Sequence, residues 1–192
     1  MSRAEDHEVV SIYQFNDDEI DQLLTKASEC VLNWCTKDEW PVGVVHSFVW
    51  AKGKLWLTFA AHRHRASALR RNPKVSVVVT SRAHDDPAGP HGQACCKGTA
   101  EFHDDRETLT WFYRLLAKKV SPNNKAGEED FYNLLDSPLR TLISVTPGKW
   151  ITFNGAKSAA HRAGTLDESE LSAPASADIE RMPKEKEKRG LS

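Results

Sequence analysis

The sequence predicts a mostly β protein with flanking helices. Apolar residues alternate at a period of two in several short segments, and helical patterns with Asn or Asp at their starts lie between these segments. The stretch 54–79 shows both features, because an alternating strand with Leu55, Leu57 and Phe59 precedes a short helix and a valine-rich alternating strand follows it. At 192 residues the chain is long enough for one domain with a substantial core.

The short helix within this stretch begins with a cluster of basic side chains. Arg63, His64 and Arg65 stand at its start, and Pro73 prevents its continuation beyond about two turns. A helix N-terminus offers unpaired N–H groups and a partial positive charge, and two guanidinium groups beside it suit a phosphate. The alternative is a solvated basic corner, which is the commoner fate of a charge run.

Before this stretch the sequence predicts a lead-in, one helix and two strands. Asn16 can cap the helix, and Glu19 can complete a capping box. A tight hairpin then leads into the strand that holds Leu55. The predicted bounds are a lead-in over 1–15 with a short strand at 9–13, a helix from 16 to 28 or 29, strands over 30–36 and 41–50, and the hairpin at 51–54.

After this stretch the sequence predicts a loop, further strands and two helices. Asp104 and Glu107 predict a second capping box, ahead of an apolar stripe on the first of these helices. From residue 163 onward the apolar periodicity is lost, so a mobile tail is expected over 163–192. The predicted bounds are a loop over 81–92, a strand over 93–102, helices over 104–120 and about 128–135, a strand over 139–145, a turn over 146–149 and a last strand over 150–153.

The composition excludes several classes of function. A net charge of −1 and a pI near 6.7 argue against general binding to nucleic acid or to a membrane surface. The sequence has no apolar run that could span a bilayer and no secretory signal core near its start, so we expect a cytoplasmic protein. The four cysteines lack metal-ligand spacing, as do the His and Asp residues of the 81–92 loop, so no metal site is expected.

The succession of a strand, RHR at a helix start, ALRRNP and NPKVSV resembles the FMN-binding split-barrel superfamily, which includes pyridoxamine 5′-phosphate oxidase. The resemblance extends from about residue 27 to residue 153, and NPKVSV is its most specific part. It implies a six-stranded split β-barrel of the FMN-binding type over 16–162. It also implies a homodimer with the cofactor, FMN, at the subunit interface.

The resemblance also implies roles for individual residues. Backbone groups at Thr58, Phe59 and Ala60 would lie along the edge of the flavin ring, and the basic triplet would hold the phosphate. Gln93 or Lys97 would stabilise the reduced ring, and the C-terminal strand would bring an aromatic side chain towards the partner subunit's flavin. The candidate cofactor-binding residues are Thr58, Phe59, Ala60, Arg63, His64, Arg65, Gln93, Lys97, Trp150 and Phe153.

The function that the resemblance implies is that of an FMN-dependent oxidoreductase acting on a small-molecule substrate or NAD(P)H. In pyridoxamine 5′-phosphate oxidase itself the second strand carries basic residues that reach the FMN, whereas here only His46 and Ser47 offer polar atoms. The ending that binds pyridoxal phosphate is not reproduced either, since Ala159 replaces its arginine, and this argues against that oxidase activity. The alternatives are a deazaflavin-dependent reductase, a haem-binding protein and a flavin-binding stress or sensor protein with little turnover.

Overall fold

A computed structural model, which describes residues 8–191, contains one antiparallel sheet with helices packed around it. Within these residues the sheet has seven strands in the spatial order β2-β1-β5-β6-β7-β4-β3. The strands are β1 (Glu29–Cys35), β2 (Pro41–Ser47), β3 (Val49–Ala51), β4 (Lys54–Ala60), β5 (Lys74–Thr80), β6 (Gly92–His103) and β7 (Arg140–Asn154). The helices are α1 (Asp17–Lys26), α2 (His64–Arg71), α3 (Arg106–Val120), α4 (Lys125–Leu135), α5 (Gly155–Ala163) and α6 (Met182–Lys188).

The predicted mostly β split barrel is confirmed, with seven strands in place of the expected six. The predicted strand 41–50 is interrupted at Phe48, whose side chain is fully buried in the core. The two parts, β2 and β3, then lie at opposite edges of the sheet. Because the chain passes directly from one edge to the other, the sheet must curl until its edges approach each other.

The turn predicted over 146–149 is wrong, because β7 continues through it. β7 pairs with β6 along its length, and a bulge between Lys97 and Gly98 absorbs the irregularity around Pro147. A Cβ atom at Gly98 would lie 2.7 Å from the Thr146 carbonyl oxygen. Glycine therefore permits the close approach of the two strands, which the sequence pattern did not reveal.

Side chains cap the starts of α1, α3, α4 and α5, and the starts of α3 and α4 differ from the prediction. The capping box of α1 is confirmed, with Asn16 and Glu19 each accepting the other's backbone N–H. The cap of α3 is Asp105 in place of Asp104, because the Asp105 side chain accepts the Thr108 N–H. Asn124 caps α4, which therefore begins at 125, earlier than predicted, while α1 ends at Lys26.

The two ends of the described chain also differ from expectation. The strand predicted at 9–13 is wrong, since Val10–Ile12 form a single 3-10 turn. The helix α5 was not predicted, and the side chain of Asn154 caps it. Beyond it the chain contains short helical turns, and the Ser172 N–H donates to the Ile12 carbonyl. The division at residue 163 and the mobility of the tail stay predictions.

The buried side chains form two clusters on the two faces of β4. One fills the barrel and includes Leu57 and Phe59, and the other lies under α3 and α4 and includes Trp56. The two sides of one strand therefore border different parts of the protein. Within residues 8–191 no helix combines the length and apolar character needed to cross a bilayer.

Candidate functional site

The start of α2 lies just after the end of β4 and carries the predicted basic triplet. Arg63 is the N-cap residue, and no side chain caps the first turn of α2. Arg63 and His64 are exposed, whereas Arg65 is half-buried. The Arg65 guanidinium lies 5.4 Å from the centre of the Phe59 ring and 5.7 Å from that of Trp34. Arg65 is therefore the member of the triplet that is directed into the barrel.

Three buried nitrogen atoms surround this position without a hydrogen-bond partner among residues 8–191. They are Arg65 Nε, His46 Nε2 and Trp34 Nε1. The His46 ring lies 5.9 Å from the Phe59 ring, so the three nitrogens belong to side chains that share neighbours. A buried polar group without a partner costs about 1–3 kcal/mol, so such a group of three points to a ligand that supplies the missing partners.

The charges at this site are set by burial. Burial, together with a smaller effect of the nearby Arg65 guanidinium, lowers the pKa of His46 to about 4. The imidazole is therefore neutral near pH 7 and can accept or donate a hydrogen bond. Burial also lowers the pKa of Arg65, with a smaller effect from Arg63. Arginine remains charged at neutral pH, so the positive charge of the site comes from the two guanidinium groups.

The end of β4 offers backbone groups beside this cluster. One edge of β4 pairs with β7. Its other edge pairs with β3 only as far as Trp56, so over 57–59 this second edge has no strand partner among the described residues. The Thr58 side chain does not face this site, because its hydroxyl donates to the Thr141 carbonyl at 2.8 Å. The Ala60 carbonyl accepts the Arg63 N–H at 3.0 Å. The Thr58 hydroxyl and the Ala60 carbonyl are therefore already used, and the predicted backbone contacts of Thr58, Phe59 and Ala60 with a flavin ring stay predictions.

The seam of the barrel, where the β2 edge of the curled sheet meets the end of β4, lies beside Arg65. His46 belongs to β2, an edge strand, and Phe59 belongs to β4, which lies next to the opposite edge. Their ring contact therefore joins the two sides of the seam. The basic residue, the unpartnered nitrogens and the open strand edge all meet at this seam.

The remaining predicted residues lie elsewhere on the sheet. Gln93 pairs with Phe153 across β6 and β7, and both line a cavity of about 790 Å³ under the 81–92 loop. Phe59, which Arg65 contacts, pairs with Thr141 near the start of β7, and Phe153 is about 40 Å further along this strand at about 3.3 Å per residue. A single chain therefore does not bring Gln93 and Phe153 to Arg65.

Lys97 and Trp150 differ from this pair in their surroundings. Lys97 is exposed beside the bulge, whose extra residue, Gly148, belongs to β7. Trp150 pairs with Cys96, and its side chain packs against the barrel core. Trp150 and Phe153 therefore point to opposite faces of β7, so only Phe153 shares the outer face with Gln93.

The 81–92 loop holds its histidines by hydrogen bonds to the backbone. A ring nitrogen of His84 bonds to the Pro90 carbonyl, and one of His91 bonds to the Pro87 carbonyl. Within the part of the chain that the structure describes, no three His, Cys, Asp or Glu side chains are placed to hold a metal ion.

Two residues belong to the site that were not among the candidate cofactor-binding residues, although His46 was noted as a polar residue on the second strand. His46 follows Val42 and Val44 at a spacing of two on β2, so strand alternation directs it into the barrel with them. Trp34 stands two residues after Leu32 on β1 for the same reason. Alternation alone could have placed both side chains inside, but it could not show that their nitrogens lack partners.

Comparison with known proteins supports the fold. The sequence model of the family described as pyridoxamine 5′-phosphate oxidase matches residues 17–154, which is most of the chain. No curated protein matches the chain.

Three solved structures show a similar fold at low sequence identity. A conserved hypothetical protein of Mycobacterium tuberculosis is 17% identical with a TM-score of 0.65, over 87% of this chain and 97% of that one. The haem storage protein HutZ of Vibrio cholerae is 14% identical with a TM-score of 0.57, over 72% and 94%. An F420 reductase is 21% identical with a TM-score of 0.50, over 68% and 94%. At these identities the similarity concerns the fold alone.

Proposed function

Because the chain belongs to the pyridoxamine 5′-phosphate oxidase family, we propose that it binds FMN at the seam of the barrel and acts as an oxidoreductase on a small molecule. The observation that carries this proposal is the group of unpartnered nitrogens of Arg65, His46 and Trp34 beside the open edge of β4. A ligand with a phosphate at one end and a polar planar ring at the other matches this arrangement of charge and hydrogen-bonding atoms.

The residues present fit the phosphate end of FMN. Arg65 would hold the phosphate, with Arg63 and the uncapped N–H groups of α2 contributing positive potential. Neutral His46 can hydrogen-bond without adding charge. Bound FMN would supply the redox chemistry, and the protein would supply binding, orientation and shielding from water.

We further propose a homodimer, because the outer face of the sheet carries an apolar row that a second copy would cover. The strand register places five small apolar residues side by side across five strands. The row consists of Val45, Val31, Val78, Cys95 and Ile151. Its two ends are the most open, with Val45 57% and Ile151 53% exposed. Contiguous exposed apolar surface of this kind favours protein–protein contact.

This dimer would also resolve the separation of the two groups of predicted residues. Gln93 and Phe153 lie on the same outer face as Ile151, one step along β6 and β7. A second copy seated on this face would place Gln93 and Phe153 of one protomer near the Arg65 region of the other. Each flavin site would then be completed by both protomers.

The test is the chromophore of the purified protein. We expect a yellow protein whose absorption is that of an oxidised flavin and which releases FMN on denaturation. Reduction of the bound flavin by NADPH or NADH and its reoxidation by an acceptor would support an enzyme. Bound FMN without turnover would instead indicate a flavin-binding stress or sensor protein. A Soret band, or binding of the deazaflavin coenzyme in preference to FMN, would contradict the proposed cofactor.

A further inference from the structure

A second cleft lies on the other face of β4, away from Phe59. It has a volume of about 510 Å³ and lies between the start of α3, the end of α4 and the start of β7. Arg70, Arg106 and Arg140 line it, together with Tyr113. The carboxylates in its wall are Asp104 and Asp136, so arginines outnumber carboxylates.

The three arginines differ in what they contact. Arg106 is paired with Asp136 through both terminal nitrogens, so its charge is already matched. Arg70 lies over the Phe102 ring, 4.0 Å from its centre, and makes no ion pair with a described residue. Arg140 has a buried Nε with no hydrogen-bond partner within residues 8–191. The cleft therefore contains two guanidinium groups that form no ion pair with a described residue, and only one further carboxylate, that of Asp104.

Tyr113 gives the cleft a buried polar wall. The residue is 2% exposed, and burial raises the pKa of its phenol, whereas a hydrogen bond with Thr58 and the nearby Arg140 lower it. Tyr113 and Arg140 both line the cleft. The phenol stays protonated at neutral pH, and its O–H donates to Thr58, because the Thr58 hydroxyl already donates to the Thr141 carbonyl.

We propose that this cleft binds the oxyanion of a small molecule, a phosphate monoester or a carboxylate. Arg140 supplies a planar set of N–H donors. Arg70 supplies a second set, and its stacking on the Phe102 ring fixes the orientation of that guanidinium. An oxyanion would provide partners for the buried N–H of Arg140, whose present lack of a partner is energetically costly. The cleft is separate from the seam, because Arg65 packs on Trp34 and Phe59 inside the barrel. The inference does not depend on FMN binding.

The test is an NMR titration of the full-length Arg65→Ala protein, in which the proposed flavin phosphate site is removed. Sodium phosphate is exchanged for sodium chloride at constant ionic strength and pH, and the amide signals of Ala61 and Thr141, which line the cleft, are followed. Saturable shifts of these two amides are expected. Sodium acetate is titrated in parallel to distinguish phosphate from carboxylate recognition.

Substitutions then locate the binding group. Adding Arg140→Gln should raise the apparent Kd about tenfold or more, and adding Arg70→Gln should raise it by a smaller factor. The matched control is Arg71→Gln, because Arg71 is on the same helix but bonds to the Cys35 carbonyl outside the cleft. If Arg140→Gln fails to fold, Arg140→Lys and Arg70→Gln replace it. The inference is overturned if neither anion gives saturable shifts, or if the control weakens binding as much as the cleft variants do.

Discussion

Arg65 is the residue on which FMN binding is expected to depend most. Arg65→Ala should weaken FMN affinity by roughly 2 kcal/mol, since a charge-assisted hydrogen bond contributes about 1.5–3 kcal/mol. Quenching of FMN fluorescence on titration with protein measures this loss. Arg71→Ala removes the same charge from the same helix outside the seam and should leave the affinity unchanged. Equal affinities in wild type and Arg65→Ala would remove the phosphate assignment.

His46 should make stability depend on pH. Its pKa is lowered to about 4 in the folded protein, mainly by burial, whereas an unfolded histidine titrates near 6.5. Between these values the unfolded state binds more protons, so the free energy of unfolding should fall as the pH is lowered from about 6.5 to about 4. Urea denaturation at a series of pH values measures this slope.

The control for His46 is His64, the exposed histidine of the basic triplet. His46→Gln should flatten the dependence of the unfolding free energy over this pH range, and His64→Gln should retain it. A slope that is the same in wild type and His46→Gln would show that His46 is not desolvated in the folded protein.

At the scale of strands and helices, the apolar row across the sheet predicts the oligomeric state. Ile151→Asp places a charge within the row and should convert a dimer into a monomer, because burial of an unpaired carboxylate is costly. Sedimentation velocity measures the change. Leu134→Asp is the matched control, since Leu134 is 63% exposed on α4 and lies outside the row. A dimer that persists in Ile151→Asp would place the interface elsewhere.

The strand pairings also show which parts of the elements could be read from sequence. Alternation predicted most of β4 and β5, and Pro73 predicted the end of α2, because these signals act over a few neighbouring residues. The break at Phe48 and the continuity of β7 were not predicted. Both depend on pairing with strands distant in sequence, and a local pattern contains no information about such partners.

At the scale of the whole molecule, the hydrogen bonds between the tail after Ala163 and the other described residues run to the 3-10 turn at 10–12 and to the end of α5. The bonds to this turn, which lies in the lead-in ahead of the barrel domain, include Ser172 N–H to the Ile12 carbonyl and Ala175 N–H to Ser11 Oγ. Deletion of 163–192 should therefore leave the melting temperature nearly unchanged. A large decrease, measured by circular dichroism, would show that the tail is docked.

A longer deletion provides the comparison for the tail. Removal of 155–192 also eliminates α5, in which Ser158 is buried and Lys157 bonds to the Gln14 carbonyl and the Glu19 carboxylate. This deletion should lower the melting temperature clearly. Similar behaviour of the two truncated proteins would contradict the boundary near residue 163.

The sequence by itself determined the mostly β class, the position of α2 and the basic triplet at its start, because alternation, caps and proline act locally. Only the tertiary structure decided that Arg65 alone of the triplet turns inward, and that it meets His46 and Trp34 there. The same is true of the distance between Arg65 and the pair Gln93 and Phe153. These relations arise when the sheet curls and joins strands far apart in sequence, and neighbouring residues do not specify that curl.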